Sequence, residues 1–459
     1  MKLTRWLPIG VVFLILPTLA PAADDVAALH AELQALKNDY SARVDALEAR
    51  IKQLETANAA AADAAASLAA APPPPVDNAP AIATPASGGG ANAFNPSISV
   101  ILGGTYTSAS RDPADWNIAG FTPAGDEIGP GDRSFNLGES ELTVAANVDP
   151  YFSAQLTASI TGENEIEVEE AFVRSSALPD GFTAKLGRFF SGVGYLNEVH
   201  AHAWDFIDQP LAYQAMFGGQ FTQNGAQVKW IAPTDVFLEF GAEAGNGDAF
   251  PGNHRDRNGL NGTALFAHVG GDVGSYASWR AGASWLETHA DDRNDDDVLL
   301  SGFTGDSRTW VADAVFKWAP SPRRQLKVQG EYLRREEHGA FTFDPAGLAV
   351  PALYDNTQSG WYLQSVYQFA ARWRAGVRYD SLDSGDPRFL ALAGAPDFSP
   401  FELARHPERI SAMLDWNPSE FSRLRLQYDI DDARDDGNDD HVIRLQYLFG
   451  IGAHGAHKY

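Results

Sequence analysis

Hydrophobic and polar residues alternate with a period of two through most of the chain after about residue 95. In the segment SELTVAANVD, Leu142 and Val144 alternate with Glu141 and Thr143. The segments RWRAGVRYD and SRLRLQYD repeat the same pattern. A period of two sends successive side chains to opposite faces of a β-strand, so the pattern predicts many strands, each with one apolar and one polar face.

The connections between these segments distinguish a membrane barrel from a soluble sandwich, whose strands alternate as well. Tight turns such as VDPYF and APSPRR alternate along the chain with long polar segments such as DSGDPRFLALAGAPDFSP. Trp230, Trp318 and Trp416 precede three of the tight turns, as an interfacial aromatic girdle requires. We therefore predict an all-β fold, a transmembrane antiparallel β-barrel of about sixteen strands over residues 95–449, with both ends in the periplasm.

The chain ahead of the barrel begins with an export signal. Residues 1–22 place Lys2 and Arg5 before an apolar run that ends in Ala-Pro-Ala, which is typical of a cleavable signal peptide. No later run reaches the ~18–20 apolar residues of a membrane helix, so we expect no helical anchor. These features predict a protein of the outer membrane of a Gram-negative bacterium.

Two further segments separate the signal peptide from the barrel. Residues 23–58 repeat apolar positions at spacings of three and four, from Leu29 to Leu54, which predicts a periplasmic coiled-coil helix and a homo-oligomer, with a trimer favoured. A single amphipathic helix lying on another surface is the alternative. Residues 59–94 consist mostly of Ala, Pro and Gly and predict a flexible linker.

Composition and charge exclude several classes of protein. The chain has no cysteine, so disulfides do not stabilise it. Its formal net charge of −26 argues against a nucleic-acid partner and favours cations. Runs of aspartate such as DIDDARDDGNDD are expected to attract divalent cations near lipopolysaccharide, although a solvated loop explains them as well. The sequence has neither Gly-x-Ser-x-Gly nor His-Glu-x-x-His, so we expect no enzyme.

The segment NEVHAHAWDFID is the main candidate for chemistry. The strand count puts it in the third long loop, about residues 190–224, and in sixteen-stranded porins that loop folds into the lumen. A His-x-His pair in an extended loop directs both imidazoles to one side, and nearby carboxylates would add oxygen ligands for Zn²⁺ or Cu²⁺. The candidate ligands in this loop are His200, His202, Glu198, Asp205 and Asp208. Alternatively, the histidines only pin the loop through hydrogen bonds.

The C-terminal tail, residues 450–459, carries a second pair of histidines. His454 and His457 would chelate a metal ion at the periplasmic mouth, and an ordinary frayed tail explains them equally well. We expect no tightly bound cofactor, with Zn²⁺ as a transported or regulatory ion.

The polar faces of the strands predict a polar, water-filled lumen with segregated charge. The candidate lumenal charges are Glu165, Glu167, Glu169, Arg280, Arg374, Arg378, Arg423, Arg425 and Arg444. The glutamates belong to the fourth strand and the arginines to later strands, so the pattern predicts a transverse field that orients solutes. Salt bridges that hold the wall in shape are the alternative.

The segment GRFFSGVGYLNEVHAHAWDF and the closing GIGAHGAHKY resemble the proteobacterial zinc-regulated TonB-dependent outer-membrane receptors, from about residue 95 to the C-terminus. The resemblance implies a barrel linked to zinc acquisition, with the histidine segments in contact with metal. Receptors driven by TonB carry a globular plug where this chain has a coiled coil and a linker, and the layout is similar to that of phosphate-selective porins. Coupling to TonB therefore stays open.

These observations predict a porin-like channel or receptor for uptake of a metal ion or small metal complex, with zinc favoured. A general or anion-preferring porin with structural histidines is the alternative.

Overall fold

The computed structural model describes Lys52 and residues 96–121, 128–160, 165–254, 257–294, 301–343, 350–391, 397–398 and 401–452. The predicted signal peptide, the linker and, apart from Lys52, the predicted coiled coil lie outside the described residues. The tail histidines His454 and His457 lie outside them as well.

The described part of the chain forms one antiparallel sheet that closes on itself. Its strands are β1 (Ser97–Ala109), β2 (Ser134–Asn136), β3 (Ser140–Asn147), β4 (Phe152–Ile160), β5 (Ile166–Ser175), β6 (Phe182–Phe190), β7 (Thr222–Ile231), β8 (Phe237–Gly245), β9 (Gly262–Val273), β10 (Ala277–Asn294), β11 (Ser301–Ser321), β12 (Arg324–Phe343), β13 (Pro351–Ala370), β14 (Trp373–Asp383), β15 (Arg388–Ala391), β16 (Glu408–Ser419), β17 (Ser422–Asp432) and β18 (Asp440–Gly452). Strands β2 and β15 are short additions that pair with β1 and β13. Among the described residues, the other sixteen strands follow one another around a closed barrel, which confirms the predicted fold class.

Pairing between β1 and β18 closes the barrel. The register runs from Ser99 opposite Gly452 to Ala109 opposite Val442. The predicted barrel ended at residue 449, but Gly450 and Ile451 continue the last strand because they still have partners on β1. Among the described residues, each of the sixteen barrel strands therefore pairs with a strand on both sides, which is the condition for a β-structure to cross a bilayer.

The outer surface of the barrel is apolar between two levels of aromatic rings. On β11, the exposed Trp310, Phe316 and Trp318 alternate with the buried Val311 and Val315. A tilted strand rises ~3.4 Å per residue, so Trp310 and Trp318 stand roughly 20 Å apart along the membrane normal. This spacing approaches the height of the apolar band of a membrane barrel.

The two ends of the barrel differ in their connections. Tight turns join β3 to β4, β11 to β12 and β16 to β17 at the end where the first strand begins and the last strand stops, and the long connections lie at the other end. Strands β10 to β13 contain 18, 21, 20 and 20 residues. A membrane strand needs ~9–11 residues, so these four extend beyond the bilayer on the side of the long connections.

The loop between β6 and β7, residues 191–221 and called L3 below, lies inside the barrel. It contains helix α1 (Leu211–Phe217), whose seven side chains are all buried. Among the described residues, no helix has the length and hydrophobicity to cross a membrane.

A hydrophobic cluster surrounds L3 and fills part of the lumen. Its members from the barrel wall include Leu286, Val311 and Leu333, and Ile118 and Phe121 join from the first long connection. The sequence predicted a polar, water-filled lumen, and the structure corrects this in part, because an apolar cluster occupies some of the interior beside the buried polar groups. Apart from Gln214, the buried side chains of helix α1 are apolar or aromatic, and such a helix is stable where apolar side chains cover it.

Candidate functional site

Hydrogen bonds at its base hold L3 in place. The Asn197 side-chain amide donates to the carbonyl oxygens of Ser191 and Phe221, each at 2.8 Å, and its oxygen accepts from the Phe221 amide at 2.7 Å. Asn197 is fully buried, so this one side chain fastens the start of the loop to its end. Deeper in the lumen, Glu331 of β12 accepts bonds from the amides of Tyr195 and Leu196.

The aspartates of the histidine segment dock on the arginine wall. Asp208 contacts the guanidinium groups of Arg378 at 2.9 Å, Arg409 at 3.0 Å and Arg444 at 2.7 Å. Burial alone would raise the pKa of the Asp208 carboxyl, but the charges of these arginines hold that pKa well below its ordinary value of 3.8. Asp208 is therefore an ionised anchor of L3.

Asp205 makes a second anchor nearer the tight-turn end. Its carboxylate contacts Lys327 Nζ at 2.9 Å and Arg374 Nη1 at 3.0 Å. Burial opposes ionisation of Asp205, and the charges of Lys327 and Arg374 outweigh it and lower its pKa. Both aspartates are thus neutralised by basic residues, and neither belongs to the group of ligand atoms around His200.

The third predicted oxygen ligand, Glu198, is also engaged elsewhere. It forms an ion pair with Lys229 of β7 at 2.7 Å. The predicted ligand set for the loop therefore divides: the structure brings His200 and His202 together but sends Glu198, Asp205 and Asp208 to basic partners. A 3-10 turn at Ala201–Ala203 separates His200 from the two aspartates.

The two histidines face carboxylates of the opposite wall. His200 Nδ1 lies 3.1 Å from Glu169 Oε2 and 3.7 Å from Glu141 Oε2, and His200 Nε2 lies 3.1 Å from Glu170 Oε2. His202 Nδ1 lies 2.7 Å from Glu141 Oε1, and the two imidazole rings stack at 5.8 Å. We call Glu141, Glu169, Glu170, His200 and His202 the His–Glu cluster.

The pKa of the His200 imidazole reflects this surrounding. Burial alone would lower it, but hydrogen bonds to Glu169 and Glu170 and the charge of Glu141 raise it well above the ordinary value of 6.5. The carboxylates around His200 therefore favour the protonated form of its imidazole.

A β-bulge places two neighbouring glutamates against the same imidazole. In the pairing of β4 with β5, Thr157 lies opposite Glu170 and Ala158 lies opposite Val168. Glu169 is therefore the extra residue of β5, with no residue of β4 opposite it. Strict alternation would send Glu169 and Glu170 to opposite faces of β5. The bulge instead lets both side chains reach His200.

Sequence reasoning missed two carboxylates of this cluster and one arginine of the wall. Glu141 stands on the polar face of its strand, but nothing local shows that β3 faces L3. Glu170 follows Glu169, so strict alternation places it on the other face of β5, and only the bulge brings it to His200. Arg409 is 2% exposed at its side chain and contacts Asp208, and the alternation of β16 was the signal that could have found it.

The other predicted lumenal charges fall into two groups. The first group, Glu165 and Glu167, is exposed near the start of β5, away from the buried end of the cluster.

The second group consists of arginines. Arg423 donates to the carbonyl oxygens of His202 and Trp204, and Arg425 pairs with Asp415. Arg280 is half-buried and lies over the ring of Tyr195. Most of the predicted arginines therefore hold L3 to the wall through Asp205, Asp208 or backbone carbonyls.

A cavity of about 310 Å³ lies at the end of the barrel where the first strand begins. Gln155, Phe172 and Arg174 line it along β4 and β5. Gln155 Nε2 also donates to Glu170 Oε2 at 3.1 Å, so the cavity adjoins the His–Glu cluster. A solute in this cavity would be near His200.

The fold and the site define a class of protein: a transmembrane β-barrel whose lumen is narrowed by an inward-folded loop that carries a histidine pair. No family model matches the chain. A protein of Aquifex aeolicus (strain VF5), described as an uncharacterized protein, is 32% identical over 350 residues, which cover 71% of this chain and 70% of that protein. The chain belongs to the family of that protein.

Solved barrels are similar at much lower identity. One is the loop L8 deletion mutant of OmpT, an outer membrane protein of Vibrio cholerae, with a TM-score of 0.49 and 10% identity. The match covers 78% of this chain and 100% of the OmpT mutant. The outer membrane channel DcaP of Acinetobacter baumannii has a TM-score of 0.48 and 12% identity, with 78% and 97% covered. Similarity at these TM-scores and sequence identities supports no conclusion about function. Nothing in the comparisons supports the zinc-regulated receptor family specifically.

Proposed function

We propose that the protein is an outer-membrane diffusion channel in which L3 forms the constriction, and that its solute is a metal ion or small metal complex, with zinc favoured. The closed barrel and its apolar outer band support a place in the bilayer. The loop inside the barrel supports a narrowed pathway. The channel carries out no covalent chemistry in this proposal.

The single observation that carries the metal proposal is the His–Glu cluster on the lumenal wall. The side chain of His200 is 20% exposed, and that of Glu169 is 12% exposed, so both reach the lumen. The loop carboxylates Asp205 and Asp208 are neutralised by Lys327 and the arginine wall. The cluster therefore leaves carboxylates and imidazoles as groups that a passing cation would meet.

Block of single-channel current by micromolar Zn²⁺ tests this proposal. Purified protein in planar bilayers should be blocked, and replacement of His200 and His202 by alanine should abolish the block. Monovalent conductance should stay nearly unchanged, because alanine removes ligands without narrowing the path. His338→Ala is the matched control, since His338 pairs with Asp355 on the exposed surface.

Two other outcomes would contradict the role of the loop histidines. Loss of block in a variant without His454 and His457, with the loop variant still blocked, would move the site to the tail. Absence of block in the parent channel would leave His200 and His202 with a structural role.

A second candidate function is a general or anion-preferring porin. Lys327 and Arg374 have side chains that are 25% and 26% exposed, so these basic groups also reach the lumen. Reversal potentials under a salt gradient distinguish the two functions. A cation preference supports the metal proposal, and an anion preference that Lys327→Gln reduces supports the alternative.

We infer that lipid and lipopolysaccharide surround the barrel and that the predicted coiled coil forms a trimer in the periplasm. Coupling to TonB is not part of the proposal, since diffusion through the lumen needs no energised partner.

A further inference from the structure

We propose that Glu141, Glu169 and the Nδ1 atom of His200 form a three-ligand site for a transition-metal dication such as Zn²⁺, with Glu170 orienting the imidazole. This inference deepens the proposed function and rests on it only for the place of L3 on the permeation path. The proposed oxygen ligands differ from those predicted from the sequence, because they come from strands β3 and β5 rather than from the loop.

The distances between the ligand atoms fit one small ion. One atom from each of Glu141, Glu169 and His200 lies within 4.8 Å of the other two. His200 Nδ1 is 3.1 Å from Glu169 Oε2 and 3.7 Å from Glu141 Oε2. Zinc bonds of ~2.0–2.1 Å in a tetrahedron separate neighbouring ligands by roughly 3.3 Å. Small rotations of the side chains therefore complete the site without movement of the backbone.

The second nitrogen of His200 has the partner that a metal-bound imidazole needs. A ligating histidine usually donates its other N–H to a carboxylate, which fixes the tautomer and the ring orientation. Here His200 Nε2 faces Glu170 Oε2 at 3.1 Å. Glu170 is itself held by Gln155 Nε2 at 3.1 Å and by the Phe190 amide at 3.3 Å. The outer ligand shell is thus already assembled.

The charge of the site calls for a cation. Glu141 and Glu169 bring carboxylate oxygens within ligand distance of each other, and Glu141 is almost fully buried. Like charges this close repel strongly where water is scarce. A dication bound between them removes that repulsion. The nitrogen ligand selects transition metals over Ca²⁺ and Mg²⁺, which prefer oxygen alone.

Three protein ligands leave a coordination position open. The His200 side chain is 20% exposed, so that position can face the lumen and accept water or an incoming solute atom. Open sites of this kind exchange ligands, whereas sites with four protein ligands are closed. The bound ion would also join L3 to β3 and β5, on the side of the loop opposite its aspartate anchors.

Isothermal titration of purified full-length protein in detergent with ZnCl₂ tests the site. One Zn²⁺ should bind per chain, and CaCl₂ at the same concentration should not displace it. Glu141→Gln and Glu169→Gln should each weaken Zn²⁺ binding at least tenfold, because the amide keeps the shape and loses the charge. Glu170→Gln should weaken it by roughly 10–100-fold through the orientation of His200.

Glu198→Gln is the matched control on the same loop. Glu198 pairs with Lys229, so this variant should bind Zn²⁺ like the parent. Each variant is first checked for heat-modifiable migration, and Glu169→Gln, at the less buried glutamate, keeps the test available if Glu141→Gln does not fold. Loss of binding in Glu198→Gln with full binding in Glu169→Gln would overturn the proposed ligands, as would equal displacement by Ca²⁺.

Conductance measured on the same preparations separates this inference from the proposed function. An open channel that binds no Zn²⁺ would reject the metal site and leave the channel intact. A protein that binds Zn²⁺ at Glu141 and Glu169 but conducts no ions would reject the channel and leave the site.

Discussion

At the scale of single residues, Asp208 links L3 to the barrel more than any other side chain of the histidine segment. Its carboxylate contacts three arginines from three strands, Arg378, Arg409 and Arg444. The side chains of these arginines are 1%, 2% and 4% exposed, so water cannot replace the carboxylate. Loss of the Asp208 charge would leave these three buried arginines with fewer carboxylates, although Arg378 still pairs with Asp380 and Arg444 with Asp429.

Replacement of Asp208 by asparagine should therefore destabilise the barrel by about 3–5 kcal/mol, the usual cost of breaking a buried ion pair. The midpoint of urea unfolding, followed by tryptophan fluorescence or by electrophoretic mobility, measures the change. Asp436→Asn is the control, because Asp436 pairs with Arg111 in exposed surroundings and its loss should leave the midpoint unchanged. Equal effects of the two substitutions would show that Asp208 is not a buried anchor.

The anchoring by Asp208 should persist in mild acid. The folded-state pKa of Asp208 lies below its ordinary value of 3.8, so its contribution to stability is present above pH 3.8 and disappears as the pH falls through the lower folded-state pKa. The difference in unfolding midpoint between the parent and Asp208→Asn should be the same at pH 7 and pH 5. A difference that disappears by pH 5 would place the pKa of Asp208 too high for this account.

At the scale of elements, L3 has its own internal hydrogen bonds, which join its two ends and fix its helix. Asn197 joins Ser191 to Phe221, and Gly218 caps the C-terminus of α1 with a φ of 64°, the left-handed conformation that glycine adopts readily. The helix begins with the Leu211 amide bonded to Asp380 Oδ1 at 3.0 Å. The loop is therefore held at its base, at its helix and at its aspartates.

Asn197→Asp should loosen the base of L3. The new oxygen would face the carbonyl oxygens of Ser191 and Phe221 in place of a donor, and each buried polar group without a partner costs about 1–3 kcal/mol. We expect a lower unfolding midpoint and larger fluctuations of single-channel current. Asn117→Asp, at an exposed asparagine, should change neither. Quiet current and an unchanged midpoint in Asn197→Asp would contradict the clamp.

At the scale of the whole molecule, stability depends on closure between the first and last strands. Strand β18 pairs with β1 on one side and with β17 on the other, so its removal would expose two sheet edges at once. Neither edge has partners for its backbone groups in lipid. Folding should therefore require the complete β18.

Truncation before Asp440 should abolish the heat-modifiable form, whereas truncation after Gly452 should retain it. The comparison is made by electrophoresis of boiled and unboiled samples after refolding in detergent. The full mature chain should be recovered from membranes with detergent. Its recovery as a soluble periplasmic monomer would contradict the barrel itself.

The oligomer predicted from residues 23–58 stays a prediction. A variant without Val26–Asn58 should insert normally and migrate as a smaller species in native gels, because the coiled coil would no longer join the chains. The full-length protein is the control. An unchanged oligomer would show that the barrel walls carry the contact.

Periodicity in the sequence determined the class of fold. Alternation is a local property of a strand, and the tight turns mark one end of the barrel, so the sixteen strands and the position of L3 after the fifth barrel strand follow without tertiary information. Residues 197 to 208 were singled out from the sequence because a histidine pair and several carboxylates lie within one short segment. The direction of each side chain did not follow.

Only the tertiary structure decided which groups meet around His200. Glu141 is 59 positions ahead of it, and the register of β4 with β5 contains a bulge that alternation cannot show. The position of α1 in the lumen could not be predicted either, because a short apolar run has the same pattern whether it faces lipid or a core. Contacts across a closed barrel depend on the register of every strand around the ring, whereas the sequence pattern records each strand by itself.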